Sequence, residues 1–448
     1  MNKDWAIRNT WTFIDNADMS CEKKNCIEEG RDISSVEDLF DEYEKIDVFS
    51  EESQKKLRNF LDVIQTLPMK DIGLCEPDNY EEITAETKGC NDFSIEKNEE
   101  LKNRIHGSML GRIAGCMFGK PFEGRRKWQV EKYLRETNNF PATHYISYKN
   151  VSKELIEECT IPEYTGEICH EHMVKAITDD DLNYPILNLL AYKTYGENIT
   201  SCDIASMWLG HLPFYAIATA ERIAYLNFVK LMEPPKSASY QNPYREFIGA
   251  QIRADLWGWI CPGKPKKAAE YAFKDASISH IKNGIYGEMW VAAMIAGALV
   301  KDDMKEIIEI GLSQIPEKSR IYKGIIHIIS LFNEGKTFTE VVDDIHSRWD
   351  ENMFNGWCHV ISNAEIVTAA LLWGNKDFSK TIECSVLPGF DTDCNGATVG
   401  SILGAVLGVK SLPKAWVSPI NDTLETAIAG YNNVKISEMS ELLFSLIK

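Results

Sequence analysis

The sequence predicts an all-α fold, a compact many-helix body preceded by an acidic and mostly helical accessory region. Three observations lead there. Apolar residues recur at helical spacing along most of the 448-residue chain. Alternating apolar and polar runs closed by hairpin turns are scarce. Two segments carry glycine at every fourth position: Gly107, Gly111, Gly115 and Gly119, then Gly396, Gly400, Gly404 and Gly408.

In chain order, residues 1–98 form the accessory region and residues 99–448 the body. Helical periodicity marks residues 36–40 and 57–67. Pro68, Gly73, Pro77 and Gly89 then punctuate a polar run that reads as a linker. From about Leu101 small and apolar residues become dense, and the runs 186–192, 216–231, 289–299, 321–332 and 364–373 each suit a helix. A glycine within a helix is up to about 1 kcal/mol less favourable than alanine. Four in one stripe therefore imply close backbone approach of a second helix, the geometry known from membrane helix pairs. Both stripes lie beside acidic clusters. Core packing alone would explain the glycines but not the acids at their ends, so the two helices are expected to be central and to bring distant segments to one site.

Composition narrows the function classes. Of the net charge of −19, residues 1–100 carry −14, with 26 Asp and Glu against 12 Lys and Arg. That balance argues against nucleic-acid binding through phosphate neutralisation. It leaves the N-terminal region as a solvated surface or as a docking arm for a basic protein partner. The opening Met1-Asn2-Lys3-Asp4-Trp5 lacks the apolar core of an export signal. Apolar stretches such as 290–300 and 402–409 are too short for a bilayer. A soluble cytoplasmic protein with no membrane partner and with reduced thiols is expected. Cys21, Cys26, Cys75 and Cys90 lack the short paired spacings of structural zinc sites.

Chemistry concentrates in two clusters. Thr178-Asp179-Asp180-Asp181 precedes an apolar helical run, and Asp391-Thr392-Asp393 follows Pro388-Gly389-Phe390 and opens the second glycine stripe. A helix N-cap and its dipole would account for one or two of these acids. The rest repel one another unless a cation holds them. Oxygen ligands without clustered His or Cys point to Mg²⁺, Mn²⁺ or Ca²⁺.

Residues 104–111 and 119–124 resemble the first core helix of the ADP-ribosylglycohydrolases, of the dinitrogenase reductase-activating glycohydrolase type. Thr178-Asp179-Asp180 is similar to the family's first metal motif, and residues 389–398 to its C-terminal one. Between them, residues 220–225, 242–246, 249–255, 279–288 and 362–364 are closer still to a bacterial branch of uncertain substrate. The resemblance spans roughly residues 101–412 in order and implies an all-helical fold with a central metal cleft. It implies two Mg²⁺ or Mn²⁺ ions, with Thr178, Asp179, Asp180, Asp391 and Asp393 as ligands. Glu123, Asp179 and Asp391 would be the catalytic carboxylates, and Glu123, Gly249, Arg253, His280 and Cys394 would contact substrate. The activity implied is hydrolysis at the anomeric carbon of a ribose, removing ADP-ribose from a protein or small molecule. Such ions orient hydroxyls and activate water, a carboxylate serves as base, and carboxylates stabilise the developing oxocarbenium charge.

Two positions depart from the family pattern. Cys116 stands where many members have Asp, and Cys394 where many have a metal-binding Thr. A thiol is a poor partner for Mg²⁺, which puts the second ion in question. For Cys394 as nucleophile, a helix N-terminus would lower the thiol pKa, whereas the nearby carboxylates would raise it. An internal salt bridge is the alternative role for Arg253 and Asp255, and a structural hydrogen bond is expected between His359 and Asn363. Two further functions stay open: a hydrolase of a nucleoside or other ribosyl metabolite, and a partner-binding or immunity protein acting through the N-terminal region.

Overall fold

Glycine against glycine is the contact that organises the body in the computed structural model, which describes Trp5 and residues 9–448. Apart from Trp5, the opening residues read for an export signal lie outside the described residues. Asn98 starts the first glycine helix, Glu99–Gly119, by accepting the amide hydrogens of Glu100 and Leu101 on its side-chain oxygen. The second, Thr392–Leu407, runs antiparallel to it. A Cβ on Gly107, Gly111 or Gly115 would overlap the carbonyl oxygen of Gly404, Gly400 or Gly396 respectively. The buried Ser108 hydroxyl adds a hydrogen bond to the Ser401 carbonyl at 2.8 Å. At the far end Thr392 Oγ1 donates to the Gly119 carbonyl, also at 2.8 Å. The end of one helix is thereby fixed on the start of the other.

Around this pair stand the helices expected from the apolar runs: Asp180–Tyr195, Thr219–Val229, Lys282–Ala298, Arg320–Asn333 and Val360–Trp373. Lys282–Ala298 is buried on every face from Asn283 onward, the behaviour of a helix apolar all round. Among the described residues the one sheet is a ribbon of Thr423–Glu425 antiparallel to Asn433–Lys435, with Leu424 opposite Val434. The fold is all-α. No helix among the described residues is long and apolar enough to cross a membrane.

The N-terminal region builds a small core of its own. Helices Asn16–Glu29, Glu37–Tyr43 and Glu51–Gln65 enclose Met19, Phe40, Leu57, Phe60, Leu61 and Ile64. Four of its acids turn inward, while most of the others stay exposed. Arg245 of the body takes Glu22 at 2.6 Å and Glu29 at 2.7 Å. Glu28 meets Arg320 and His359, both at 3.4 Å, and Asp18 meets Arg222 at 3.3 Å. The run read as a linker is a strap laid along the body. Tyr286 donates to the Pro77 carbonyl, the Gly89 amide to Ser313 and the Phe93 amide to Gly263, while Ile83 is buried in the main core. Its polar, glycine-punctuated sequence reflects backbone pairing with the body, which leaves no periodicity to read.

Candidate functional site

The second acidic cluster sits on a strained turn. Gly389 and Phe390 are consecutive left-handed residues, with φ of +76° and +66°. For a non-glycine residue that conformation costs about 1–3 kcal/mol. Burial of the Phe390 ring against Ile328, Val341 and Ile345 offsets it. The Phe390 carbonyl accepts the Gly124 amide at 3.0 Å, tying the turn to the segment that carries Glu123. Behind it Asn363 Oδ1 accepts both the Asp391 amide, at 3.3 Å, and the Asn395 side-chain amide, at 2.8 Å. Asn363 also donates to the His359 carbonyl at 2.9 Å, the structural bond expected of that pair. The Cys358 thiol points at Asp391 Oδ2 from 3.5 Å.

In the first cluster Asp179 is the N-cap of Asp180–Tyr195, its Oδ1 accepting the Asp181 amide at 2.9 Å. Its Oδ2 holds the Lys120 ammonium at 2.5 Å. Asp181 points inward, with Oδ1 on Arg112 and Oδ2 on the Cys394 thiol, each at 3.1 Å. Arg112, itself buried, bridges from there to Asp255 at 2.6 Å. Asp180 is half-buried and Thr178 exposed, the Thr178 hydroxyl lying 3.5 Å from Asn183 Oδ1. Cys394 and Asp181 are 213 positions apart in the chain, yet their side chains touch.

Carboxylate oxygens of Glu123, Asp391 and Asp393 gather within 4.8 Å of one another, as do ligand atoms of Asp179, Asp180 and Asp181, and of Asp181, Asp393 and Cys394. Glu123 is exposed to solvent. Desolvation among the surrounding side chains, then the charges of Asp391 and Asp179, push its carboxyl up to about 8. Burial and neighbouring acids also push the carboxyls of Asp180, Asp181, Asp391 and Asp393 upward. Burial would do the same to Asp179, but the Lys120 charge holds it below the usual range. Burial and then Asp181 drive the Cys394 thiol well up, so it acts as a hydrogen-bond donor and not as a thiolate nucleophile. Asp391 Oδ1 and Asp393 Oδ1 are buried and meet no hydrogen-bond partner among the described residues. Buried acceptors in such crowded acids suit a hard divalent cation.

Three expected substrate contacts lie deeper. Arg253 is fully buried, with Nε on Asp275 at 2.9 Å, Nη1 on Glu221 at 2.7 Å and Nη2 on the Asp275 carbonyl at 3.0 Å. Every guanidinium nitrogen is engaged, so the internal salt bridge is what the structure has, and direct substrate contact by Arg253 does not fit. His280 is equally buried, its Nδ1 paired with Ser279 Oγ at 2.8 Å, and its imidazole is kept neutral by burial and by Arg253. It too is an interior residue. Gly249 is buried because the Glu221 carboxylate fills the place its side chain would take. Lys120, Arg112 and Glu221 join the site although the sequence does not mark them for it, and Asn363 joins it as a hydrogen-bonding support. Lys120 and Glu221 stand within family-like segments, but nothing in their spacing marks them.

Residues 97–443 match the family model described as ADP-ribosylglycohydrolase. A solved structure, an "ADP-ribosylglycohydrolase-related protein complex", is similar at 17% identity over 78% of this chain and 98% of that one, with a TM-score of 0.47. No curated protein matches the sequence.

Proposed function

Given that this chain belongs to the ADP-ribosylglycohydrolase family, whose members are hydrolases of ribosyl glycosidic bonds, we propose that it removes ADP-ribose from a modified protein or small molecule by cation-dependent hydrolysis at the anomeric carbon. The observation that carries this reading is the meeting of two distant carboxylate clusters at one place, with buried, unpartnered oxygens on Asp391 and Asp393.

The donor set fits Mg²⁺ or Mn²⁺: all-oxygen, anionic and partly open. Glu123, Asp391 and Asp393 would hold it, with Thr178, Asp179 and Asp180 alongside. When bound, the cation orients ribose hydroxyls and acidifies water. Glu123, exposed to solvent beside the cation site, accepts the proton of the attacking water. The hydroxyl adds to the anomeric carbon, the bond to the leaving atom breaks, and that atom takes a proton from solvent, balancing the one passed to Glu123. Asp179, kept charged by Lys120, and Asp391 supply negative potential against the oxocarbenium-like transition state. Cys394 shapes the floor as a neutral donor to Asp181.

The test is release of ADP-ribose from a mono-ADP-ribosylated protein with Mg²⁺, with Mn²⁺ and with chelator, in wild type and Asp391→Ala. Cation-dependent release that disappears in the variant is expected. Cation binding lost in the variant, but without release from protein, would move the substrate to a nucleoside or other ribosyl metabolite. Absence of cation binding would sink the metal-dependent reading.

A further inference from the structure

We propose that the ammonium of Lys120 takes the place of one of two metal ions, so that the cleft holds a single divalent cation on Glu123, Asp391 and Asp393. The inference rests on the cation-dependent reading above and deepens it. Lys120 follows the first glycine helix directly, in the short turn Lys120–Phe122. Its carbonyl accepts the Tyr164 hydroxyl at 2.9 Å, and its ammonium lies 5.3 Å over the Tyr164 ring. Pinned at both ends, the side chain places Nζ 2.5 Å from Asp179 Oδ2. The other Asp179 oxygen is taken by the Asp181 amide. Neither oxygen of Asp179 is therefore free to bridge two ions.

Asp181 is occupied as well, by Arg112 on one oxygen and Cys394 on the other. Asp391 Oδ1 and Asp393 Oδ1 are buried without partners, and the carboxylates of these two residues gather with that of Glu123. Both residues are only 3% exposed. One cation there completes them. A second, beside Asp179, would have to displace the ammonium or share a carboxylate with it at close range, against direct charge repulsion.

Mn²⁺ titrated into the full-length chain, followed by calorimetry and by electron paramagnetic resonance, tests this without reference to turnover. Wild type is expected to take up one ion per chain, with the spectrum of isolated Mn²⁺. In Lys120→Met, Asp179 loses its partner and uptake is expected to rise to two, with an exchange-coupled spectrum. Lys120→Arg keeps the charge and stays at one. Two ions in wild type would overturn the assignment even if the methionine variant failed to fold, and so would uptake of one ion in a folded Lys120→Met. No Mn²⁺ in wild type or variants would instead overturn the cation-dependent reading, and this inference with it.

Discussion

Asn363 shows how much of the site is held by residues that need never touch substrate. Its Oδ1 accepts from the Asp391 amide and from Asn395, so Asn363→Ala strips two buried donors of their partner. A loss of about 1–3 kcal/mol in stability is expected, together with at least roughly tenfold lower kcat/KM as the Asp391 turn relaxes. Urea melts and steady-state kinetics would measure the two, and unchanged kinetics in a destabilised variant would limit Asn363 to a structural role. Glu28 gives a pH-dependent counterpart. Burial would raise its carboxyl, but the His359 imidazole and then Arg320 hold it at about 2 against an ordinary 4.5. The folded state therefore binds this proton less readily than the unfolded one. Its contribution, about 3 kcal/mol, is present above pH 4.5 and is lost as pH falls toward 2. The stability gap between wild type and Glu28→Gln should accordingly close over that window, as followed by chemical denaturation. A gap that widened on acidification would show the sign to be wrong.

At the scale of elements the paired glycine stripes are the part of the molecule most open to a mutational test. Gly400→Ala would drive a Cβ into the Gly111 carbonyl. Because backbone is met on the far side, neither helix can give way by a rotamer change, and overpacking of this kind costs about 1–3 kcal/mol or more. Activity should fall further than stability, since the same helix begins at Thr392 beside Asp391. Gly210, in helix Ser201–His211, is the control: nothing lies within 4 Å of its would-be Cβ. Gly210→Ala is expected to stabilise by up to about 1 kcal/mol. Equal effects in thermal melts would remove the packing argument. These helices were legible because four glycines at helical spacing carry a penalty that only close packing repays, and the acids at their ends could be read for the same reason. Lys120 and Arg112 were not, because an isolated basic residue reads the same whether it faces solvent or a buried acid. Sequence leaves Arg253 open between substrate contact and internal salt bridge because its partners Glu221, Asp275 and Glu288 are distant in the chain.

For the whole molecule, composition makes the N-terminal region a solvated acidic surface or a docking arm; most of its acids are exposed, and Asp18, Glu22, Glu28 and Glu29 face the body. Glu28 pairs with His359, which caps Val360–Trp373 and directly follows Cys358, the thiol beside Asp391. The region is thus joined to the wall of the cleft through one short chain of contacts. Arg245 is the central tie, and Arg245→Ala would leave Glu22 buried without a counter-charge and Glu29 with Arg31 alone, at 3.7 Å. Removing one partner from a buried pair costs about 3–5 kcal/mol. That loss should appear as early protease cleavage in the strap around Gly73, before the body unfolds. Two causes are separable, because isolated buried charge and lost attachment respond differently to a second change. If the penalty is charge isolation, Arg245→Met combined with Glu22→Leu and Glu29→Leu should recover most of the stability and the protease resistance, since well-packed apolar replacements of buried ion pairs are often neutral or better. Failure of the triple variant to recover, with the small core around Phe40 and Phe60 still folded, would mean that the ion pairs themselves specify how the region docks.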